Sequence, residues 1–267
     1  MRLGVIFCLL TCWFAGAAMA QDSWVTFTRK AQGGPVSVLV DLAVRRDMAQ
    51  LASGYEITME VALSEPDAGG MTKPGEAEIL SKLEDALVAD LAAIGGRFIG
   101  RTTVHRARIF HFVFPNSALP GRAEADMAQL ARQFGYNARL RREDRSPLAA
   151  YENVLYPDAG GWRQINDMRV ILALRQAGDQ NSAPRQITHW CVFTDQDKAG
   201  RFQGWADGVG YLEPAVMRGE GLWMVRFSHE GTVLPNDISG HSVPLDETCR
   251  ASGGEYDGWE SLVVRQD

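Results

Sequence analysis

Apolar residues alternate strictly through 55–63. Tyr55, Ile57, Met59, Val61 and Leu63 fall on one side, with Glu56, Thr58, Glu60 and Ala62 on the other. A period of two is that of a half-buried strand. Over 74–94 the period changes: Leu80, Leu83, Leu87, Leu91 and Ile94 recur at three- and four-residue steps, the apolar stripe of a helix. Pro74 suits its first turn, and Gly95-Gly96 stops it. Strands follow at 97–104 and 107–114, the second with Phe110, Phe112 and Phe114 on one face. A helix over 121–134 turns Met127, Leu130, Ala131 and Phe134 inward and stops at Gly135, and a strand spans 136–141. From Tyr55 the order is βαββαβ. Two strands precede it, at 24–29 and 36–44, separated by a turn at 32–35.

The pattern then pauses and repeats. A connector over 142–161 carries Tyr151, Tyr156 and Pro157, and a helix over 162–177 has the stripe Ile165, Met168 and Leu172. Strands are predicted at 185–193, 210–218, 222–228 and 260–264. Helices fall at 195–206, capped by Thr194 or Asp195, and at 244–251, with Ser242 as cap and Pro244 in the first turn. This is βαββαβ again. The expected fold is therefore α+β: two tandem ferredoxin-like halves with extra N-terminal strands and a connecting helix. The expected divisions are 1–20, 21–145, 146–182 and 183–267.

The first division reads as a leader. Arg2 precedes an apolar run over 3–14, and Ala18-Met19-Ala20 closes a small-residue stretch. That is the pattern of a secretory signal peptide cut after Ala20. The run is far shorter than a membrane-spanning helix requires. The expectation is a periplasmic or secreted protein with no membrane contact after cleavage. Cleavage removes Cys8 and Cys12 and leaves Cys191 and Cys249. In an oxidising compartment these two either form a disulfide or stay as buried thiols. Cys191 shares a strand side with Ile187 and Phe193, and Cys249 lies one helical turn beyond Leu245, so the two can meet.

Charge narrows the function. The net charge is −6. An acidic exported chain is a poor nucleic-acid binder, since phosphate neutralisation needs clustered Lys and Arg. The cluster Arg139, Arg141, Arg142 and Arg145 is interrupted by Glu143 and Asp144 and reads as a solvated edge. No phosphate-binding loop, zinc-protease helix, nucleophile elbow or dinucleotide fingerprint is present. The five histidines, His105, His111, His189, His229 and His241, lack ligand spacing on any helix, so no metal is expected. The segment from Asp195 to Gly200 opens like a calcium loop, but Ala206 stands where a bidentate Glu is needed. No cofactor is implied. Asp257, between Tyr256 and Gly258, could serve acid–base chemistry if buried.

Two stretches of the second half carry a resemblance. Arg185, Ile187, His189, Trp190 and Phe193 resemble an opening strand of the form R-x-V-x-H-W-x-x-F, and 253–260 (GGEYDGWE) resembles a closing motif. Both are marks of the RraB family, regulators of ribonuclease E activity. The first half resembles the DUF 695 family through Trp24, the strand after Tyr55, the acidic helix ending at Leu87 to Leu91, Phe98-Ile99-Gly100-Arg101 and the connector over 151–157. The resemblance implies a ferredoxin-like fold and restraint of ribonuclease E by protein contact without catalysis. Export excludes that intracellular target and leaves a non-enzymatic protein-binding or regulatory module with an unknown protein partner. Its contact residues would be His189, Trp190, Tyr256, Asp257 and Trp259, unless the two motif aromatics simply pack under the last helix. The alternatives are a small-molecule sensor binding between the halves and a hydrolase centred on Asp257 or His189.

Overall fold

The computed structural model describes residues 23–31, 34–143 and 147–265. The leader read at 1–20, the glycine turn at 32–33, and Asp144 and Arg145 of the basic edge lie outside the described residues.

The first unit begins with two antiparallel strands, β1 (Trp24–Ala31) and β2 (Gly34–Asp41). The expected strand to Val44 ends sooner, because Val44–Leu51 is a short helix, α1. Then come β3 (Tyr55–Ala62), α2 (Pro74–Ala92), β4 (Arg97–Val104), β5 (Ala107–Phe114), α3 (Pro120–Gln133) and β6 (Ala138–Glu143). The sheet order is β1-β2-β4-β5-β3-β6, all antiparallel. Its last four strands have the ferredoxin-like arrangement, and β1 and β2 extend the sheet beyond β4.

Both faces of this sheet are covered. On one, Ile57, Met59, Val61, Phe110, Phe112 and Phe114 pack under the stripe Leu80, Leu83, Leu87 and Leu91 of α2 and under Ala123, Met127 and Ala131 of α3. On the other, Phe27, Val38, Val40, Ile99 and Val113 are covered by Val44 of α1 and by the connector. The connector winds into a π-turn, Tyr151–Leu155, whose Tyr151 and Leu155 are fully buried. Gly100 allows this sheet to close: a Cβ there would sit 2.5 Å from the Leu39 carbonyl oxygen, and its φ is +154°.

The second unit follows α4 (Ala159–Gln176), which Asp158 caps by accepting from Gly161 N at 2.8 Å. Its buried positions include Ile165, Asp167 and Ile171, whereas Leu172 of the expected stripe is 46% exposed. The stripe shifts by one residue because α4 lies between two partners, β1 of the first unit and a helix of the second. The unit itself comprises β7 (Arg185–Phe193), α5 (Gln196–Gly208), β8 (Leu212–Gly219), β9 (Leu222–Gly231), α6 (Pro235–Ala251) and β10 (Glu255–Ser261). The strand order is β10-β7-β9-β8, again ferredoxin-like and antiparallel. Asp195 caps α5, accepting from Lys198 N at 2.8 Å.

Two expectations are corrected here. The last helix starts at Pro235, not near Pro244, so Ser242 is an interior residue and not a cap. Pro244 removes one backbone donor from the helix interior, yet burial of Ile238, Leu245 and Cys249 carries the helix through it. The last strand starts at Glu255 and contains the motif aromatics, and does not follow them. Gly253 has φ +76°, and its N–H and that of Gly254 return to the Arg250 and Cys249 carbonyls, a helix stop of the Schellman type.

Two contacts fix α6, and a third holds the C-terminal segment. Cys191 of β7 and Cys249 of α6 are disulfide-bonded, with Cα atoms 6.3 Å apart. Asp167 of α4 accepts from Ser242 Oγ of α6 at 2.5 Å and from Trp259 Nε1 of β10 at 2.9 Å. Arg185 Nη1 donates to Asp179 Oδ2 at 2.5 Å and to the Leu262 carbonyl at 3.0 Å, so the opening arginine of β7 holds the C-terminal segment.

Asp167→Ala leaves the Trp259 indole and the Ser242 hydroxyl buried without partners and is expected to cost about 3 kcal/mol in urea denaturation. Asp167→Asn keeps an acceptor and removes a desolvated charge, and is expected to cost less than about 1 kcal/mol. Equal losses would mean that the charge, not the hydrogen-bond geometry, holds the seam. Peptide mapping of unreduced protein is expected to recover the 191–249 linked peptide, and reduction is expected to lower the unfolding free energy by about 4 kcal/mol.

Candidate functional site

Strand alternation on β7 sends Ile187, His189, Cys191 and Phe193 under the helices. On β9 the same side holds Val225, Phe227 and His229. β10 would split Tyr256 and Trp259 between two faces, since they are three residues apart. A bulge prevents this: Tyr256 pairs with Cys191, Gly258 with Trp190 and Trp259 with His189. The extra residue at 257–258 returns both rings to the helix side, and Gly258 takes φ +121°. That is the role of the short GGEYDGWE stretch.

The five expected contact residues therefore do not form one surface. His189 is fully buried, Tyr256 is buried, and Trp259 is 8% exposed with its indole bound to Asp167. Trp190 lies on the opposite, uncovered side of the sheet, where its indole donates to Glu260 Oε1 at 3.3 Å. Asp257 is exposed at the bulge. It lacks the burial that acid–base work would ask of it, and His189 is enclosed by its own fold. Buried rings at 189, 256 and 259 stabilise the unit and offer nothing for a macromolecule to touch.

Periodicity did not reveal what the helix side brings together. Three of the five histidines converge from three elements. His189 Nδ1 lies 2.7 Å from the Tyr256 hydroxyl, and His189 Nε2 lies 2.9 Å from His229 Nδ1. His241 of α6 stacks on His229 with ring centroids 3.7 Å apart. Tyr211 reaches His241 Nδ1 at 3.1 Å. Arg163 of α4 lies over the Tyr256 ring at 4.9 Å. Burial, with His229 and His241 beside it, pushes His189 far below the usual imidazole range. Burial, with His241 adjacent, takes His229 down to about 4. Burial also lowers His241, while Asp237 opposes the shift. Burial raises Asp167, against the hydrogen bonds from Ser242 and Trp259. His111, in the first unit, pairs with Glu56 Oε1 at 2.8 Å, away from this cluster. Among the described residues no group of three ligating side chains is arranged to hold a metal ion.

The other side of the second sheet is open. Its helix contacts run through α5 and α6 on the histidine side. Thr188, Trp190, Val192, Ala215, Met224 and Arg226 are half-buried and Met217 is exposed. The result is an apolar centre around Trp190, with Glu255 and Glu260 along the β10 edge and Arg226 across it. Between the units, a groove of about 890 Å³ runs along β1, α4 and α6, with Asp167 and Ser239 among its lining. Among the described residues no helix is long and apolar enough to cross a membrane.

A pair of helices over an antiparallel 4-1-3-2 sheet defines the second unit as a ferredoxin-like domain. Residues 164–261 match the family model described as "Regulator of ribonuclease activity B". The match begins inside α4 and ends with β10. No curated protein matches the chain. A solved structure of a proposed glycine cleavage system transcriptional repressor is 10% identical, with a TM-score of 0.24, covering 79% of this chain and 98% of that one. That likeness is too distant to carry a structural argument.

The depressed imidazoles set a pH dependence. The folded state takes up protons on His189 and His229 less readily than the unfolded chain, whose histidines titrate near 6.5. Their contribution is fully present above that pH and is lost as pH falls below it. Asp167, raised in the fold, works in the opposite sense. Melting temperature is expected to fall between pH 7 and pH 5, and His229→Gln is expected to flatten that slope. A melting point independent of pH over this range would contradict the buried neutral cluster.

Proposed function

We propose that this chain is an exported, non-catalytic regulatory module that docks a protein on the open face of its second sheet. The observation that carries the reading is the uncovered apolar centre at Trp190, which lies inside the segment matched to the ribonuclease-regulator family. A sheet face of this kind without a covering helix is unusual for a solvated surface, and a half-buried Trp is a common anchor of protein interfaces. The acidic β10 edge favours a partner whose apolar contact is flanked by Lys or Arg. Export rests on the leader pattern at 1–20. It separates this chain from the intracellular target that the family's name implies, so the partner is a different protein. The kinship of the first unit to the DUF 695 family belongs to the same proposal. There the connector already covers the second sheet face, which leaves the first unit as a support for α4.

Photo-crosslinking separates this reading from its alternatives. A photoreactive residue at position 190 is expected to give one discrete adduct in the native compartment. The same residue at exposed Val209 on the helix side is expected to give none. Trp190→Ala is expected to abolish capture with little change in melting temperature. Adducts from both positions, or from neither, would reject the face as a docking surface.

A further inference from the structure

The sheet of the first unit ends in β1, which has a strand on one side only. The backbone groups of an antiparallel edge strand alternate between its neighbour and the outside. Ser23 faces β2, because its carbonyl accepts from Leu42 N at 2.8 Å. The pairing of β1 with β2 has no bulge, so Val25 and Phe27 keep that sense. Trp24, Thr26 and Thr28 therefore point their N–H and C=O groups outward. Thr28 shows that this edge takes partners. The Gln164 side-chain amide of α4 accepts from its N–H and donates to its carbonyl, as a peptide group of a further strand would.

The outward side of β1 thus faces α4. Toward the start of β1, a cavity of about 680 Å³ separates this edge from the later turns of the helix. Trp24, Thr26, Met168 and Leu172 are among its lining. Trp24 and Leu172 are 39% and 46% exposed, large apolar side chains left in water on facing walls. Arg46 and Arg169 line the same cavity, and no carboxylate does. Among the described residues neither guanidinium has an ion pair; Arg169 donates to Asn166 Oδ1 at 3.0 Å. One groove therefore combines unpaired main-chain groups, apolar surface and two uncompensated cations.

We propose that this groove takes an extended peptide bearing a carboxylate, added to β1 as a further strand. The N–H and C=O groups of Trp24 and Thr26 would pair with its backbone, in line with the Gln164 amide. Trp24, Met168 and Leu172 would cover its apolar side chains, and Arg46 and Arg169 would hold its carboxylate. A cationic peptide would meet both guanidiniums unfavourably. An apolar carboxylate without a peptide backbone would leave the strand edge unmatched. The site belongs to the first unit and stands independently of the open face of the second sheet.

The test uses the mature chain at pH 7.5 and a dye-labelled Thr-Val-Thr-Val-Val peptide, read by fluorescence anisotropy, with saturable binding expected. Its C-terminal amide, and that amide with Glu as the last residue, separate a chain-end carboxylate from a side-chain one. At least one acidic form is expected to bind about tenfold more tightly than the neutral amide. Added salt is expected to shrink that difference. N-methylation of alternate backbone amides is expected to abolish binding in one phase of the alternation and spare it in the other. Arg46→Gln and Arg169→Gln are each expected to weaken the acidic forms about fivefold and leave the neutral amide unchanged. Thr26→Pro removes one outward N–H while sparing the ladder to β2, and is expected to abolish binding. If that variant does not fold, the N-methylated peptides on the native chain still decide. No saturable binding, equal affinity for acidic and neutral peptides, or indifference to N-methylation in both phases would each overturn the proposal.

Discussion

The carboxylate of Asp167 organises the second half of this molecule. It sits on α4, is 2% exposed, and accepts from one donor on α6 and one on β10. Taking a carboxylate out of water is unfavourable, and the upward push on its proton affinity records that cost. Two well-placed donors offset it. With Ser242 held to α4, α6 leans away from α5. With Trp259 held, the bulge at Gly258 has a reason to place that ring inward. The Cys191–Cys249 bridge then pins the other end of α6 to the sheet. The stacked histidines and the shape of the last strand both follow from where α6 is drawn.

The two units show how one topology can serve two ends. The first sheet hides both faces, one under α2 and α3 and the other under α1 and the Tyr151 turn. Nothing of it remains for a partner except its edges, and its β6 edge is lined with arginines, one of them paired to Glu60. The second sheet hides one face only. Half-exposed Trp190, Val192 and Met224 on the other would be a liability in a protein without a use for them.

Periodicity made most of the elements legible. β4, β5 and β7 fall where alternation put them, and α2 begins at its proline. The misses share a cause. The sequence pattern starts α6 only near Pro244, because a proline fits a helix's first turn better than its interior, but packing against α4 outweighs local propensity. α1 is too short for its period to stand out. The spacing of the stripe points to Leu172, yet Ile171 is the buried residue, because a helix between two partners turns its apolar face part-way round. The site was less legible. His189 and His229 could be assigned to one sheet side from their strands alone, each two residues from an apolar neighbour. Their meeting depends on the register of β7 against β9, and His241 arrives from a helix whose first half was not foreseen. Asp167 and Ser242 have no pattern at all; each is polar at a position that burial alone would fill with an apolar residue.

The disulfide has a consequence for the whole chain. It closes within the second unit, and among the described residues no second bridge crosses to the first. The halves are joined by one polypeptide crossing and by the packing of α4 on β1, where the Gln164 side-chain amide accepts from Thr28 N at 3.0 Å and donates to the Thr28 carbonyl at 2.6 Å. Pulling on the two ends would therefore leave the segment between Cys191 and Cys249 closed on itself, while the β1–α4 junction and β10, both outside that loop, would carry the load without a covalent tie.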